Sequence, residues 1–582
     1  MVTFFDAKAA RKKLLSALVP TTVVAVLLGC SSVPLGAGEA LAQQATEQRA
    51  PTQSEMDSQL MFELMIAELA GRRGQLDVAM SGYLRAADRT DDPRVSERAT
   101  RLAMFGRQWE EAERVARRWM LLDNGNSEAP LILGQSLLRQ KKATPASLLY
   151  TQLLEESDQK RQLLRDIQFE LQRAEDPTVA VSVMQSLKES FSQEPEAHLG
   201  LARALITNGQ SAPAIDATDS ALRAAPGDTD ALLLRAQILS GTGKSDEAFS
   251  SLDSALASNA DNTELRLGYA QLLVESGRYD EVEPQLERIR DEVDSDPDTL
   301  LTLSLLAIES RRLDIARSYL TELQSTGVHQ DQASFYLARL SDDQKDFGTA
   351  IELYDAVGEG DLKFTSALRA AELTALVGDL EQGRQRLKQL SAQSGNEVTQ
   401  PRLVSSESRM LQNAGMNAEA VRVLSDGLVS FPDNTELLYA RALAAHSAGN
   451  DDMMLDDLNR LIEGDPNNAQ ALNALGYHFT DNNIELERAD ELLVKANALL
   501  PEDPAIMDSL GWLRYRQGRY DEAVSLLQSA YDKLPDPEIA AHLGEVLWVR
   551  GEEGQARSLV NAALEANPGD ENLLSVISNV FQ

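Results

Sequence analysis

Small and apolar side chains recur along most of the chain at a nearly constant interval of 34 residues. The pattern is clearest near the C-terminus, in LGWLRYRQGRYDEAVSLLQSAYDKLP, which begins at Leu510. Its apolar positions follow helical spacing in two stretches separated by Gly518. A repeat of this length predicts a pair of helices that buries its apolar face against the next pair. We therefore expect an all-α, right-handed superhelical solenoid.

The repeats align on Gly511, and its equivalents form the marker column: Ala67, Thr100, Gly134, Gln168, Ala202, Ala236, Ala270, Ser304, Ala338, Ala371, Ser408, Ala442, Gly476 and Gly544. Twelve places after each marker lies the alanine column: Ala79, Ala112, Ala146, Ala180, Ala214, Ala248, Val282, Ala316, Ala350, Gly383, Ala420, Met454, Arg488 (with Ala489 one place later), Ala523 and Ala556. Small side chains at two fixed places predict a close crossing of the two helices in each pair.

Between the two helices, the seventh place after the marker forms the turn column: Gly74, Gly209, Gly243, Gly277, Gly378, Gly415, Gly449, Asn483, Gly518 and Gly551. Glycine and asparagine tolerate the left-handed conformation that ends many helices. Prolines that cannot continue a helix mark the ends of several pairs, at Pro226, Pro432, Pro466, Pro501, Pro535 and Pro568. About fifteen pairs are thus expected over residues 55–568, degenerate before residue 430, with one longer loop at SGNEVTQP.

The two ends of the chain differ from the repeats. Residues 1–29 carry basic side chains followed by a short apolar run, as in a secretory signal peptide, and the run is too short to predict a membrane-spanning helix. Residues 30–54 are polar, have no helical period and predict a flexible tether. At the other end, residues 569–582 predict a capping helix with Leu573, Leu574, Ile577 and Phe581 at helical spacing.

Cys30 is the only cysteine, so no partner thiol exists for a disulfide. The stretch Leu27-Leu28-Gly29-Cys30 resembles the bacterial lipobox. The resemblance implies cleavage between Gly29 and Cys30 and attachment of acyl chains to Cys30, since two or three chains anchor a protein stably. Ser31 follows the cysteine, and the same resemblance favours the outer membrane, with the protein facing the periplasm.

The sequence offers little catalytic chemistry. The five histidines lie in different repeats without paired ligand spacing, and GTGKS at Gly241 has Ile238 where a phosphate-binding loop requires glycine. Acidic pairs such as Glu110 and Glu111 are typical of a solvated surface. We expect no catalytic residues, no metal site, no cofactor and no enzyme activity. A formal net charge of −36 argues against nucleic acid as the partner.

Binding is therefore expected at the surface of the array, with a groove lined by the first helices of the pairs. Aromatic side chains at groove-facing places become frequent near the C-terminus: Tyr439, Tyr477, Trp512, Tyr515 and Trp548. Tyrosine and tryptophan are favoured as binding anchors, and Trp512, Tyr515 and Trp548 are expected to form one continuous strip. The alternative is that Trp512 and Trp548 pack between repeats.

Three stretches, NALGYHFTDNN, DSLGWLRYRQGRYDEA and IAAHLGEVLWVRG, resemble a proteobacterial family of tetratricopeptide-repeat outer-membrane lipoproteins. The resemblance implies an adaptor that activates a periplasmic carboxyl-terminal processing protease and delivers peptidoglycan hydrolases to it. Two alternatives remain: an assembly scaffold for a secretin, pilus or exopolysaccharide exporter, and a hydrolase with a site hidden in the groove. Capture of the partner protein distinguishes them.

Overall fold

A computed structural model describes residues 58–292, 296–394 and 399–581. The predicted signal peptide, Cys30, the tether and most of the loop predicted at SGNEVTQP lie outside the described residues. Within them the fold is all-α: thirty-one α-helices follow one another and no strand occurs. The chain divides into two compact units, Met1–Tyr319 and Leu320–Gln582, which are described separately.

The helices of unit 1 are α1 (Ser58–Arg72), α2 (Leu76–Ala87), α3 (Pro93–Phe105), α4 (Trp109–Leu122), α5 (Glu128–Arg139), α6 (Ala143–Glu156), α7 (Lys160–Leu171), α8 (Pro177–Ser190), α9 (Pro195–Thr207), α10 (Ser211–Ala224), α11 (Thr229–Gly241), α12 (Ser245–Ser258), α13 (Thr263–Glu275), α14 (Val282–Glu292) and α15 (Pro297–Glu309). A short 3₁₀ turn, Tyr279–Glu281, precedes α14. The boundary between the units falls within α16 (Leu313–Thr326).

The helices of unit 2 are α17 (Gln330–Asp343), α18 (Phe347–Asp355), α19 (Leu362–Leu376), α20 (Leu380–Ser394), α21 (Gln400–Asn413), α22 (Asn417–Ser430), α23 (Thr435–Ser447), α24 (Asp451–Gly464), α25 (Ala469–Asp481), α26 (Leu486–Leu499), α27 (Pro504–Arg516), α28 (Tyr520–Lys533), α29 (Pro537–Val549), α30 (Glu553–Ala566) and α31 (Glu571–Ser575). In both units the extensive helix contacts join elements that are next neighbours or nearly so along the chain. This is the packing expected of stacked helix pairs.

Several helices begin at an Asp-Pro pair. At α27, the carboxylate of Asp503 accepts hydrogen bonds from the backbone N–H groups of Ala505 (3.0 Å) and Ile506 (3.1 Å), while Pro504 occupies the first helical position. Aspartate satisfies backbone donors that the helix leaves free, and proline has no N–H to satisfy. The same arrangement starts α3, α8, α15 and α29.

The turn column adopts the left-handed conformation that the sequence predicts, for example at Gly518 with φ 74° and at Asn483 with φ 54°. The structure adds four basic residues to this column, which the sequence analysis missed: Arg107, Lys141, Arg311 and Lys345, with φ between 56° and 62°. Their side chains carry a Cβ, so the left-handed conformation is strained there. The geometry of the helix pair therefore determines this turn even where the residue does not favour it.

The marker and alanine columns are buried in the described repeats, with Ala489 taking the buried place beside the exposed Arg488. Gly511 packs against the side chain of Leu527. A Cβ added to Gly511 would lie only 2.8 Å from Leu527 Cγ, so a larger residue would clash there. In the alanine column, a Cβ on Gly383 would lie 2.8 Å from the carbonyl oxygen of the marker residue in the same pair. The small residues of the marker and alanine columns therefore allow the two helices of a pair to pack closely, as the spacing predicts.

The C-terminal segment continues from α31 into a π-helical stretch, Val576–Val580. Leu573, Val576 and Phe581 are buried against the last helix pair, whereas Leu574 is exposed. The sequence analysis counted Leu574 among the apolar residues of the predicted capping helix, and the structure leaves its side chain 45% exposed. Val576 follows Leu573 by three residues and shares its buried face, and the wider π turn brings Phe581 to that face, with its N–H donating to the carbonyl of Val576 at 3.1 Å.

Candidate protein-binding surfaces

An aromatic cluster near the C-terminus includes three of the predicted groove residues. On α27, the Trp512 ring lies 4.9 Å from that of Tyr515, and the Arg516 guanidinium lies over the indole at 4.7 Å. The His542 ring, from α29, also stacks on Trp512, with the centroids 4.2 Å apart. Tyr477, from α25, lies 6.3 Å from His542. We call these four neighbouring rings, Tyr477, Trp512, Tyr515 and His542, the aromatic patch.

Trp512 does not project into solvent: only 4% of its surface is exposed. Its indole nitrogen Nε1 is buried and has no hydrogen-bond partner among the described residues. A buried donor left without an acceptor costs about 1–3 kcal/mol. The packing role weighed for Trp512 therefore agrees with the structure, and the exposed-anchor role does not. The physical reason is the stacked His542 ring, which covers the face of the indole.

Two tyrosines of the aromatic patch are half-buried and carry polar ends toward the surface. Tyr477 donates to Glu538 Oε1 at 2.6 Å, and Tyr515 donates to Glu545 Oε1 at 2.9 Å. Burial of the two rings raises the pKa of both hydroxyls, and the neighbouring carboxylates raise it further. Both hydroxyls are therefore protonated donors near neutral pH, and the glutamates hold each ring in a fixed orientation.

One member of the aromatic patch, His542, pairs with a buried carboxylate. His542 Nδ1 is 3.0 Å from Asp508 Oδ1, and both side chains are buried. Burial opposes protonation of the imidazole, but the charge and hydrogen bond of Asp508 outweigh it, so the pKa of His542 lies above its ordinary value. The sequence analysis did not select His542 as part of the groove, because it is not at one of the assumed groove-facing places.

The other two predicted groove residues lie apart from this patch. Trp548 packs on Phe581 with ring centroids 4.6 Å apart, and Arg557 covers it at 4.6 Å. Tyr439 is partly buried against the core formed by α21 to α27. The expected strip of Trp512, Tyr515 and Trp548 is therefore corrected: the ring contacts run through the aromatic patch, and Trp548 belongs to the C-terminal cap.

A second surface, which the sequence analysis missed, lies on α1. Five large apolar side chains on one face of this helix are between 39% and 66% exposed, and we call them the α1 stripe: Met61, Phe62, Met65, Ile66 and Leu69. The opposite face of α1 packs Ala67 and Leu60 into the core of unit 1. The apolar spacing in MFELMIAEL predicts a helix, but a buried helix has the same spacing, so the sequence does not reveal that one apolar face is exposed. Among the described helices, none is both long and apolar enough to span a membrane.

Family models of the tetratricopeptide repeat match residues 171–238 and 240–307, and also 301–361 and 509–571. The chain is 35% identical over 496 residues to the TPR repeat-containing protein PA4667 of Pseudomonas aeruginosa, and the match covers 83% of this chain and 82% of the relative. The chain therefore belongs to the tetratricopeptide-repeat proteins.

Solved structures of tetratricopeptide-repeat proteins are more distant. The chain is similar to one chain of the APC/C hetero-tetramer Cut9-Hcn1 (14% identity, 90% of this chain and 97% of that chain, TM-score 0.33). It is also similar to yeast Tom70 (13% identity, 68% and 96%, TM-score 0.27). A third match is TTC0263, a thermophilic TPR protein of Thermus thermophilus (22% identity, 31% and 97%, TM-score 0.29).

Proposed function

We propose that this protein is a membrane-anchored tetratricopeptide-repeat adaptor, which binds a periplasmic protease and its cell-wall hydrolase substrates and so promotes their proteolysis. The family supports the coarser part of this proposal, because tetratricopeptide-repeat arrays typically act as scaffolds for other proteins rather than as catalysts. The protease and the hydrolases come from the resemblance of the C-terminal repeats. Lipidation at Cys30 would hold the adaptor on the outer membrane, facing the periplasm.

The observation that carries the proposal is the α1 stripe. Full burial of a large apolar side chain contributes about 1.5–3 kcal/mol, so a partner that covered these five side chains would gain a substantial binding free energy. Exposed apolar surface gathered on one face is typical of a site for another protein. The stripe also lies on the first described helix, a few residues after the predicted tether.

An adaptor needs a second surface for its second partner. The aromatic patch of unit 2 offers ordered rings and two half-buried tyrosines whose hydroxyls are held by glutamates. A polar and aromatic surface of this kind suits a peptide or loop better than a flat apolar one does. We assign the protease to the α1 stripe and the hydrolase to the aromatic patch.

The test is a reconstituted proteolysis assay with the purified carboxyl-terminal processing protease and a peptidoglycan hydrolase. Addition of the full-length protein should accelerate loss of the hydrolase. Phe62→Glu combined with Met65→Glu should abolish the acceleration and protease binding, because two charges would lie in the apolar contact. Leu121→Glu is the matched control, since Leu121 is 84% exposed on α4, outside the stripe, and should leave the rate unchanged.

Three results would contradict the proposal. The first is hydrolase loss at the same rate with and without the protein. The second is equal activity of the stripe variant and the Leu121 control. The third is affinity capture of secretin, pilus or exopolysaccharide-exporter subunits in place of a protease, which would favour the assembly scaffold.

A further inference from the structure

Two histidines and one aspartate from three successive helices of unit 2 converge at one point of the surface. His446 is in the last turn of α23, Asp451 is the first residue of α24, and His478 is on α25. One possible ligand atom from each residue lies within 4.8 Å of the other two. The sequence analysis expected no metal ligand set, because the separation of 32 residues between the two histidines matches no short ligand motif.

The backbone brings the three together through an ordinary turn of the repeat. Gly449 adopts a left-handed φ of 73° and donates to the carbonyl of His446 at 2.8 Å, so the chain reverses directly after α23. Asp451 then returns beside His446, with Oδ1 2.8 Å from Nδ1 of the imidazole. The two histidine rings are nearly perpendicular, at 89°, with centroids 5.9 Å apart.

We propose that His446, Asp451 and His478 form a binding site for a divalent transition-metal ion, with Zn²⁺ as the ion that fits best. Two imidazole nitrogens and one carboxylate oxygen are the ligands that Zn²⁺ takes in open sites, where a fourth position is left to water or another ligand. Mg²⁺ and Ca²⁺ prefer sites made of oxygen ligands only, so the donor set discriminates against them.

The site needs only a small adjustment to close around the ion. Zinc bonds of about 2.0–2.2 Å place neighbouring ligand atoms roughly 3.3 Å apart. His446 and Asp451 are 56% and 49% exposed, so both side chains can rotate and an ion can enter from solvent. His478 is only 7% exposed and provides the fixed ligand.

Asn482 fixes the orientation of the His478 ring. The Asn482 side-chain amide lies 3.4 Å from His478 Nδ1 and is itself held by a hydrogen bond of 2.9 Å to the carbonyl of His478. The amide nitrogen donates, so Nδ1 of His478 is its acceptor and is the unprotonated nitrogen of the ring. An ion bound here would link the turn between the two helices of one pair to the first helix of the next pair, and would stiffen the array beside Tyr477.

The experiment is a titration of the full-length protein in detergent with ZnCl₂, followed by calorimetry and by the melting temperature. Wild type should bind a single Zn²⁺ in a saturable way and melt at a higher temperature, and MgCl₂ should not compete. His446→Gln and Asp451→Asn should each weaken binding roughly tenfold or more. Asp452→Asn is the matched control, because it removes the same charge from the adjacent exposed position and should bind like wild type.

His478→Gln tests the buried ligand, and its circular dichroism without metal shows whether it remains folded. Because His446 is exposed, the His446→Gln variant keeps the test decisive even if His478→Gln unfolds. Co²⁺ provides an independent readout, since its visible absorption reports tetrahedral coordination in wild type and should disappear in His446→Gln. The proposal is overturned if wild type binds no Zn²⁺, if His446→Gln binds as well as wild type, or if Mg²⁺ displaces the ion.

Discussion

The imidazole ring of His542 lies almost parallel to the indole of Trp512, at an interplanar angle of 16° and a centroid distance of 4.2 Å. The same imidazole also interacts electrostatically with Asp508, whose Oδ1 lies 3.0 Å from its Nδ1. The aromatic patch of unit 2 therefore rests on a histidine whose charge depends on pH. Its neighbours Glu538 and Asp481 also favour the protonated ring.

The first prediction concerns the dependence of stability on pH. The pKa of His542 is raised above 6.5, so the folded protein holds this proton more tightly than the unfolded chain does. The resulting stabilisation is present in full below about pH 6.5 and is lost as the pH rises through the raised pKa. Denaturant unfolding of wild type from pH 6 to pH 9 should show this loss, and His542→Gln should remove that part of the slope. A slope that is unchanged in His542→Gln would contradict it.

The second prediction concerns Trp512 as a packed residue. Trp512→Ala removes a buried indole between α27 and α29, and should lower the free energy of unfolding by about 3–5 kcal/mol. Tyr520→Ala removes a partly exposed ring from the same surface and should cost much less. Thermal unfolding measures both. A fully stable Trp512→Ala variant that lost only partner affinity would instead restore Trp512 as an exposed anchor.

The third prediction concerns the turn column. Arg107→Gly should stabilise the protein by up to about 1 kcal/mol, because glycine accepts the φ of 56° without the strain of a Cβ. Gly518→Ala should destabilise it by a similar amount, since φ is 74° there. Gly227→Ala is the control: Gly227 is outside the left-handed region and a Cβ there meets no atom within 4 Å. Opposite signs for the two turn variants in urea unfolding are the expected result.

The fourth prediction concerns the alanine column. Ala523 is fully buried, so Ala523→Leu should force α27 and α28 apart at a cost of about 1–3 kcal/mol. Ser525→Leu places the same side chain at an exposed position of α28 and should cost little. Hydrogen exchange should accelerate in the repeats next to Ala523 and remain unchanged in distant ones, because the stability of a repeat array is mainly a sum over neighbours. Uniform acceleration along the chain is the outcome that refutes it.

The fifth prediction concerns Cys30. Labelling cells with a fatty-acid analogue should modify the wild-type protein and leave Cys30→Ser unlabelled, since the sequence contains no other cysteine. The variant should also leave the membrane fraction. Equal labelling of the two proteins would exclude lipidation at this residue.

The features that the sequence predicts are those that repeat. Positions equivalent to Ala523 and Gly518 recur in each repeat of the chain. A column of small or turn-forming residues at these positions therefore identifies the helix pairs and their register. The left-handed conformation of Arg107 could not be predicted in this way, because the surrounding helices impose a conformation that arginine does not favour. The burial of Trp512 could not be predicted either, since it depends on the His542 side chain from another repeat.

The surfaces are harder to predict because they depend on what surrounds a helix in space. The apolar face of α1 has the spacing of a buried helix, and it is exposed only because no described helix covers that side. The pairing of His446 with His478 depends on how two successive first helices align, and no sequence pattern encodes that distance.

The short sequence separation between packed helices also bears on how the protein is made. Each helix finds its main partners among elements close to it along the chain. A topology of this kind requires little loop closure, so folding does not wait for distant segments. During synthesis the N-terminal helix pairs can therefore fold before the later pairs have left the ribosome. Each folded pair then provides an apolar surface against which the next pair packs.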